Sequence, residues 1–168
     1  MKALVSIIMG STSDLPVMKK AADFLNSMEI PFEMLALSAH RTPDEVADFA
    51  RNAKSRGVKV IIAGAGMAAA LPGVIAAITP LPVIGVPLSA TLQGQDALLS
   101  IAQMPPGIPV ATTGIDGAMN AGVLATRILA LTDSAIAARY DNWRSALGAK
   151  IVKANEDLKE IKYDFKTN

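Results

Sequence analysis

Residues 4–14 read LVSIIMGSTSD, a short apolar run that ends at a glycine and is followed by three hydroxyl residues and an acid. After this stretch, apolar residues recur at helical spacing at Met18, Ala21, Ala22, Leu25 and Met28. A buried run followed by an amphipathic segment predicts a strand, a turn and a helix. The chain repeats this unit as far as residue 131.

Further strands are predicted at residues 32–37, 58–63, 82–86 and 108–112, and further helices at residues 68–78, 94–101 and 118–131. Another helix is predicted to start at Thr42-Pro43-Asp44-Glu45, which has the pattern of a capping box with proline in the first turn. Parallel strands need crossover connections, and helices supply them on both faces. The sequence therefore predicts a flavodoxin-like three-layer α/β sandwich with a five-stranded parallel sheet.

We assign residues 1–132 to a flavodoxin-like domain and residues 133–168 to a C-terminal helix and tail of the same single domain. The amphipathic stretch at residues 134–157 has no strand after it. Two interpretations are open, because this helical extension could pack on its own domain or dock on a neighbouring subunit.

The composition narrows the classes of partner. Sixteen basic and fifteen acidic residues give a net charge of +1, which provides no electrostatic reason to expect nucleic acid or a membrane surface as partner. Only 18% of the residues are charged and 51% are apolar, so an isolated domain would expose apolar patches that self-association would cover. The chain has no cysteine and no signal-like cleavage site, and we expect a cytoplasmic homo-oligomer with a small-molecule substrate.

The loop after the first predicted strand is suited to a phosphorylated ligand. Gly10, Ser11 and Ser13 offer backbone N–H groups and hydroxyls at a helix N-terminus, whereas Asp14 is better suited to accept hydrogen bonds from ribose hydroxyls. Simple helix capping by Ser13 or Asp14 is the alternative interpretation. No lysine follows at the spacing of a nucleotide-hydrolysing loop.

The loop after the second predicted strand, Ser38-Ala39-His40-Arg41, holds the only histidine of the chain. An imidazole at the ligand-binding edge of a parallel sheet can act as a general acid and base near neutral pH. The guanidinium of Arg41 can bind a phosphate or a carboxylate through two hydrogen bonds. We therefore predict that His40 is a general acid and base and that Arg41 binds an anionic group of the substrate, and the alternative interpretation is a loop histidine without a chemical role.

Residues 64–69, GAGMAA, match the dinucleotide-binding pattern only formally. They follow the third predicted strand rather than the first, and no acid occurs between Asp48 and Asp96. We expect Gly66 and its neighbours to allow close backbone approach to a ligand or to another subunit, or to form a simple tight turn. Residues 89–95 and 103–107 could be lids or contacts, and a metal held by this chain is not expected.

Four motifs together resemble the N5-carboxyaminoimidazole ribonucleotide mutases of purine biosynthesis, over about residues 1–143. They are residues 10–14 (GSTSD), 38–43 (SAHRTP), 64–73 (GAGMAAALPG) and 103–110 (QMPPGIPV). The resemblance implies an octamer of flavodoxin-like subunits that needs no cofactor or metal. It also implies that a carbamate breaks down to aminoimidazole ribonucleotide and CO₂, which then adds to the ring carbon.

The resemblance implies roles for individual residues. His40 matches the catalytic histidine, and Ser11, Asp14 and Arg41 match nucleotide-binding positions. The remaining substrate-binding residues that we predict lie in the same loops and are Gly10, Ser13, Ser38, Ala39, Gly66, Met67, Ala68 and Leu71. Ala70 departs from the pattern, since the family usually has histidine there.

Three other interpretations compete with the mutase. A related carboxylase class takes CO₂ directly, but we expect it to have lysine after the histidine, so Arg41 favours the mutase. A flavin or nucleotide sensor would use the same loops without chemistry and would not need His40. A dinucleotide-dependent oxidoreductase is disfavoured by the missing acidic residue.

Overall fold

The computed structural model describes residues 2–168, so the first residue of the predicted domain lies outside the described residues. Residues 2–168 contain five strands and six α-helices, and strands and helices alternate over residues 5–130. In chain order these are β1 (Val5–Met9), α1 (Leu15–Ser27), β2 (Phe32–Ala36), α2 (Pro43–Arg56), β3 (Val60–Ala65), α3 (Ala70–Ile78), β4 (Val83–Pro87), α4 (Gln95–Ala102), β5 (Ala111–Thr112), α5 (Ala118–Ala130) and α6 (Ser134–Lys159). Short 3₁₀ turns, Thr12–Asp14 and Leu92–Gly94, precede α1 and α4.

The sheet has the strand order β2-β1-β3-β4-β5, and every pair of neighbouring strands is parallel. At the carboxyl end of β1, Met9 is opposite Ala36 of β2 and Gly64 of β3. The loops that follow these three strands therefore emerge at the same edge. The predicted flavodoxin-like parallel sheet is confirmed.

Helices cover both faces of the sheet. On one face, α1 and α5 pack against each other and against alternate strand residues such as Val5, Ile7 and Ile62. On the other face, α2, α3 and α4 cover a second apolar core that includes Ile8 and Ile61. The period-two alternation of each strand divides its side chains between the two cores.

The helix α6 changes its surroundings along its length. Near its start, Ile136 is buried and the Trp143 ring meets Phe24 of α1 edge-on, with 4.9 Å between ring centroids. Arg139 Nε also donates a hydrogen bond of 2.7 Å to the carbonyl of Met28. Farther along, large apolar side chains are exposed, namely Leu147, Ile151, Val152 and Leu158 in α6, and Ile161, Tyr163 and Phe165 beyond it.

The predicted capping box at residues 42–45 was wrong, although α2 does begin at Pro43 as expected. The Thr42 side chain makes no capping hydrogen bond to α2, because its hydroxyl is engaged with Ser38 instead. A capping box is found at the first loop, where Ser11 Oγ accepts from the Ser13 N–H and Asp14 accepts from the Ser11 N–H. Residues 42–45 and residues 11–14 both have a hydroxyl residue followed three positions later by an acid. Only the second segment forms a capping box, whereas the Thr42 hydroxyl closes the loop from Ser38.

Several predicted boundaries were displaced, and left-handed backbone explains two of the shifts. Ala69 has φ 37° and Gly94 has φ 82°, so α3 and α4 each start one residue after them. The strand β5 is shorter than predicted because Pro109 has no N–H and the Ile108 N–H bonds to Pro105 in a turn.

The strand β3 begins at residue 60 rather than 58. Gly57, with φ 104°, ends α2, and the Val58 N–H still donates to the carbonyl of Ala53 in that cap.

Within the described part of the chain, no helix is long and apolar enough to cross a membrane.

Gly85 lies in the middle of β4, directly beneath α4. A Cβ atom added there would be 2.4 Å from Ile101 Cγ2 and 3.0 Å from Val110 Cγ1. Real Cβ atoms do not approach other atoms so closely, so the packing of α4 on the sheet requires glycine at this position.

We predict that Gly85→Ala lowers the free energy of unfolding by about 1–3 kcal/mol, because α4 and the segment before β5 must move apart. Urea denaturation followed by circular dichroism measures the change. Gly148→Ala is the matched control, since Gly148 is in α6 with no atom within 4 Å of an added Cβ. Equal stability of Gly85→Ala and the native chain would contradict the close contact.

Glu33 connects the edge strand β2 to its neighbours. Its carboxylate accepts hydrogen bonds from Ser6 Oγ at 2.6 Å and from Arg56 Nη1 and Nη2 at 3.0 Å and 2.6 Å. Partial burial raises the pKa of this carboxyl, but the hydrogen bonds of Arg56 and Ser6 and the charge of Arg56 together hold the pKa below its usual value. The ionised form is therefore the one that stabilises the fold.

Because the pKa of Glu33 is lower in the folded protein, its contribution is fully present above pH 4.5 and is lost as the pH falls through the folded-state pKa. We predict that Glu33→Gln lowers the free energy of unfolding at pH 7 by less than about 1 kcal/mol, since the pair is partly solvated. The difference from the native chain should shrink in denaturant titrations as the pH falls through the folded-state pKa of Glu33. Glu156→Gln is the control, because Glu156 forms an exposed ion pair with Lys159. If Glu33→Gln lowered the free energy of unfolding equally at every pH, the stabilising role of the ionised carboxylate would be contradicted.

Candidate functional site

A cleft of about 650 Å³ opens at the edge of the sheet where β1, β2 and β3 end. The loops after these strands and one residue from the loop after β4 line it. All of the site residues predicted from the sequence are brought together there, and the complete lining is Gly10, Ser11, Ser13, Asp14, Ser38, Ala39, His40, Arg41, Ala65, Gly66, Met67, Ala68, Ala69, Ala70, Leu71 and Ala90. Their roles toward a ligand stay predictions.

The first wall of the cleft is the turn after β1. Ser11 Oγ accepts from the Ser13 N–H at 3.3 Å, and Asp14 Oδ2 accepts from the Ser11 N–H at 3.1 Å. Ser13 Oγ donates to the other oxygen of Asp14 at 3.4 Å. The residue that caps this turn is Ser11, whereas the sequence suggested Ser13 or Asp14. Because these residues also line the cleft, capping and ligand binding are compatible here.

The second wall is the loop after β2. Arg41 lies across the gap between two loops, because its Nη2 donates to the Gly10 carbonyl at 2.6 Å and its Nε donates to Ser38 Oγ at 3.3 Å. The guanidinium therefore sits beside the serine-rich turn, where its charge can attract an anion. His40 precedes Arg41 and its side chain is exposed to the cleft.

The third wall is the loop between β3 and α3. Met67 and Ala69 both have left-handed backbone, with φ 56° and 37°, and Met67 is 58% exposed. A Cβ atom on Gly66 would be 2.9 Å from Ala90 Cβ, so this glycine allows the loop after β4 to approach the cleft. Gly64 has a different purpose, since an added Cβ would be 2.4 Å from Met18 Sδ of α1. Gly64 therefore permits helix packing on the sheet rather than ligand approach.

Sequence reasoning missed four lining residues, namely Ala65, Ala69, Ala70 and Ala90. An alanine methyl group carries no chemical signal in a sequence. Three of the four lie inside the motif at residues 64–73, so including the whole motif would have found them. Of the two loops named as lids or contacts, only residues 89–95 reach the lining, through Ala90. In the other loop, Met104 lies beside Gly73, whose added Cβ would be 3.1 Å from Met104 Sδ.

The ionisable side chains in the lining are Asp14, His40 and Arg41. The wall formed by residues 65–71 is apolar, and Ala70 contributes only a methyl group. Among residues 2–168, no group of three or more histidine, cysteine, aspartate or glutamate side chains is placed to hold a metal ion. The cleft thus combines an anion-binding side, one imidazole and an apolar side.

Comparison with known proteins places the chain among enzymes of similar sequence and structure. A Pyrococcus abyssi protein named N5-carboxyaminoimidazole ribonucleotide mutase is 59% identical over 141 residues, which cover 83% of this chain and 81% of that protein. A Schizosaccharomyces pombe protein named phosphoribosylaminoimidazole carboxylase is 50% identical over 159 residues, which cover 94% of this chain but 29% of that protein.

The crystal structure of Treponema denticola PurE matches the fold with a TM-score of 0.86 at 30% sequence identity, covering 95% of this chain and 100% of that one. The model of the family described as AIR carboxylase matches residues 4–150, which include all of the strands and the whole lining of the cleft. The chain therefore belongs to the AIR carboxylase family.

Proposed function

We propose that this chain is an N5-carboxyaminoimidazole ribonucleotide mutase, an isomerase of purine biosynthesis. It converts N5-carboxyaminoimidazole ribonucleotide into 4-carboxy-5-aminoimidazole ribonucleotide. The observation that carries this proposal is the convergence of His40, Arg41 and the serine-rich turn in one cleft, in a chain that shares its family and much of its sequence with proteins of that name.

The polar side of the cleft binds the ribose phosphate of the substrate in this proposal. Ser11 and Ser13 supply hydroxyl donors to the phosphate, and the Arg41 guanidinium supplies a charge-assisted donor beside them. Asp14 accepts from a ribose hydroxyl, because its carboxylate would repel the phosphate itself. The imidazole ring of the substrate then lies between His40 and the apolar wall.

The reaction needs one proton to be given and one to be taken. In the first step, the C–N bond of the carbamate breaks, CO₂ leaves, and protonated His40 donates a proton to the exocyclic nitrogen. In the second step, the ring carbon attacks CO₂, and the proton that this carbon carried passes to neutral His40 as aromaticity returns. The proton balance closes, so a single imidazole serves both steps.

The apolar wall holds the freed CO₂ next to the ring carbon. Met67, Ala68 and Leu71 present no charged group, and the glycine and the alanines among residues 65–70 leave room for the carboxylate to move. Confinement converts a reaction between two molecules into one between neighbours, which accounts for transfer without loss of CO₂. The chemistry uses only side chains of the protein, and we propose that no cofactor or metal takes part.

We propose that the working enzyme is a cytoplasmic homo-oligomer, an octamer, in which neighbours complete the cleft. Support comes from apolar side chains that a monomer leaves in solvent, since Leu92 in the loop after β4 is 74% exposed and Phe165 near the C-terminus is 96% exposed. Residues 89–95 or 103–107 border a neighbour's pocket in this arrangement, and the exposed part of α6 docks on a neighbouring subunit. Full activity in a stable, dilute monomer would contradict it.

The proposed function predicts turnover of the substrate by the purified chain. Purified native chain should convert freshly prepared N5-carboxyaminoimidazole ribonucleotide to the carbon-carboxylated product without ATP or added bicarbonate, as followed by ultraviolet absorbance and chromatography. His40→Asn should lose at least about 100-fold in kcat, because it removes the proton carrier but keeps a side chain of similar size. Binding of the product by His40→Asn, measured by calorimetry, checks that the cleft is intact.

Different outcomes distinguish the competing interpretations. Turnover that requires aminoimidazole ribonucleotide and high CO₂ instead would make the chain a direct carboxylase. If neither substrate reacts while the nucleotide binds tightly, or a flavin copurifies, the chain is a binding module. If His40→Asn had the same kcat as the native chain, the role of the imidazole in proton transfer would be contradicted.

A substitution at Arg41 separates substrate binding from chemistry. Arg41→Lys keeps a positive charge but loses the planar, branched guanidinium that contacts Gly10 and Ser38 together. We expect KM to rise about tenfold or more, with a smaller change in kcat, in steady-state assays. Arg51→Lys, on α2 in an exposed pair with Asp48, is the matched control and should keep the native KM. An unchanged KM in Arg41→Lys would remove this residue from the phosphate site.

A further inference from the structure

The Thr42 side chain closes the loop that carries the catalytic histidine. Thr42 Oγ1 accepts a hydrogen bond from the Ser38 N–H at 3.0 Å and lies 3.2 Å from the Ser38 carbonyl, to which it donates. The Thr42 N–H donates to the same carbonyl at 2.8 Å. One side chain therefore satisfies both backbone groups of Ser38 and fixes the two ends of a five-residue loop, with His40 at its centre.

The His40 ring depends on this loop for its position. Within residues 2–168 no hydrogen bond to the His40 ring is formed, so its place is set by the backbone from Ser38 to Thr42. Arg41, in contrast, has anchors of its own, because it donates to Gly10 and through both its N–H and its Nε to Ser38 Oγ. Loosening the loop closure should disturb His40 more than Arg41.

We propose that Thr42 is a positioning residue that holds His40 at the distance and angle needed for proton transfer. This inference rests on the proposed function, since it assigns a kinetic purpose to a hydroxyl in the same site. Thr42 does not line the cleft, and its hydroxyl is directed to Ser38 rather than to α2. Its effect therefore reaches the substrate only through His40 and the loop.

The chemistry of threonine permits a sharp test. Thr42→Val has nearly the same shape but lacks the hydroxyl, so the Ser38 N–H loses its partner while the backbone bond from residue 42 to Ser38 can persist. Thr42→Ser keeps the hydroxyl and removes only the methyl group. Thr132→Val, two residues beyond the end of α5 and outside the lining of the cleft, is the control for loss of a threonine hydroxyl.

We predict that Thr42→Val lowers kcat about 10- to 100-fold while KM changes less than about threefold, because small displacements of a reacting group reduce the rate without weakening binding. Thr42→Ser should recover kcat to within about threefold of the native value. Thr132→Val should match the native chain in both constants. Equal loss in the serine and valine variants, or a rise in KM alone, would overturn the proposal.

A second measurement does not depend on turnover. His40 is the only histidine, so a protein without a histidine tag gives one set of imidazole signals in a proton–carbon NMR spectrum. Thr42→Val should shift or broaden those signals at constant pH, and Thr42→Ser should leave them near their native positions. Identical spectra of the native chain and Thr42→Val would overturn the inference, and this result does not depend on the identity of the substrate. An inactive native chain whose variants give the predicted spectra would count against the proposed function alone.

Discussion

The parallel pairing of β1 with both β2 and β3 is the constraint on which the site depends. Because β1 lies between these strands and Met9 is level with Ala36 and Gly64, three chain segments leave the sheet at one edge. Loops that are far apart in sequence then share one cleft. The hydrogen bond from Arg41 to the Gly10 carbonyl, across 31 residues of sequence, directly reflects this arrangement.

The division of the cleft into a polar side and an apolar side follows from what each loop can supply. The turn after β1 satisfies its own polar groups through Ser11 and Asp14, and Arg41 adds a positive charge next to it. The loop after β3 is built of glycine, alanine and methionine, which leave space and offer no charge. A reaction that moves CO₂ over a short distance needs both the polar and the apolar side of the cleft. The polar side must hold the ribose phosphate in place while the carboxyl group moves along the apolar side.

Periodicity and loop position were enough to predict the architecture and the cleft. Short apolar runs at even intervals indicated the parallel sheet, and polar motifs after successive strands indicated the edge where they would meet. The details that failed depend on local backbone geometry. Thr42 has the spacing of a helix cap, but its hydroxyl bonds back to Ser38, and residue-type patterns do not distinguish these two uses.

Other features had weak signals in the sequence. The left-handed backbone at Met67 and Ala69 is uncommon for residues with a Cβ atom, so the start of α3 was predicted too early. The alanines of the lining carry no chemical motif. The low charge and the exposed apolar side chains from Leu147 onward support the assembly that we propose.

The measurement that tests the central claim most directly is the fate of the carboxyl carbon. Substrate labelled with carbon-13 in its carbamate is incubated with the enzyme in unlabelled bicarbonate, and the product of the first turnovers is analysed by mass spectrometry, beside an enzyme-free sample. Transfer within the cleft predicts that most of the product keeps the label. Product labelled no more than the dissolved CO₂ would contradict the account, because the carboxyl group would then come from solution.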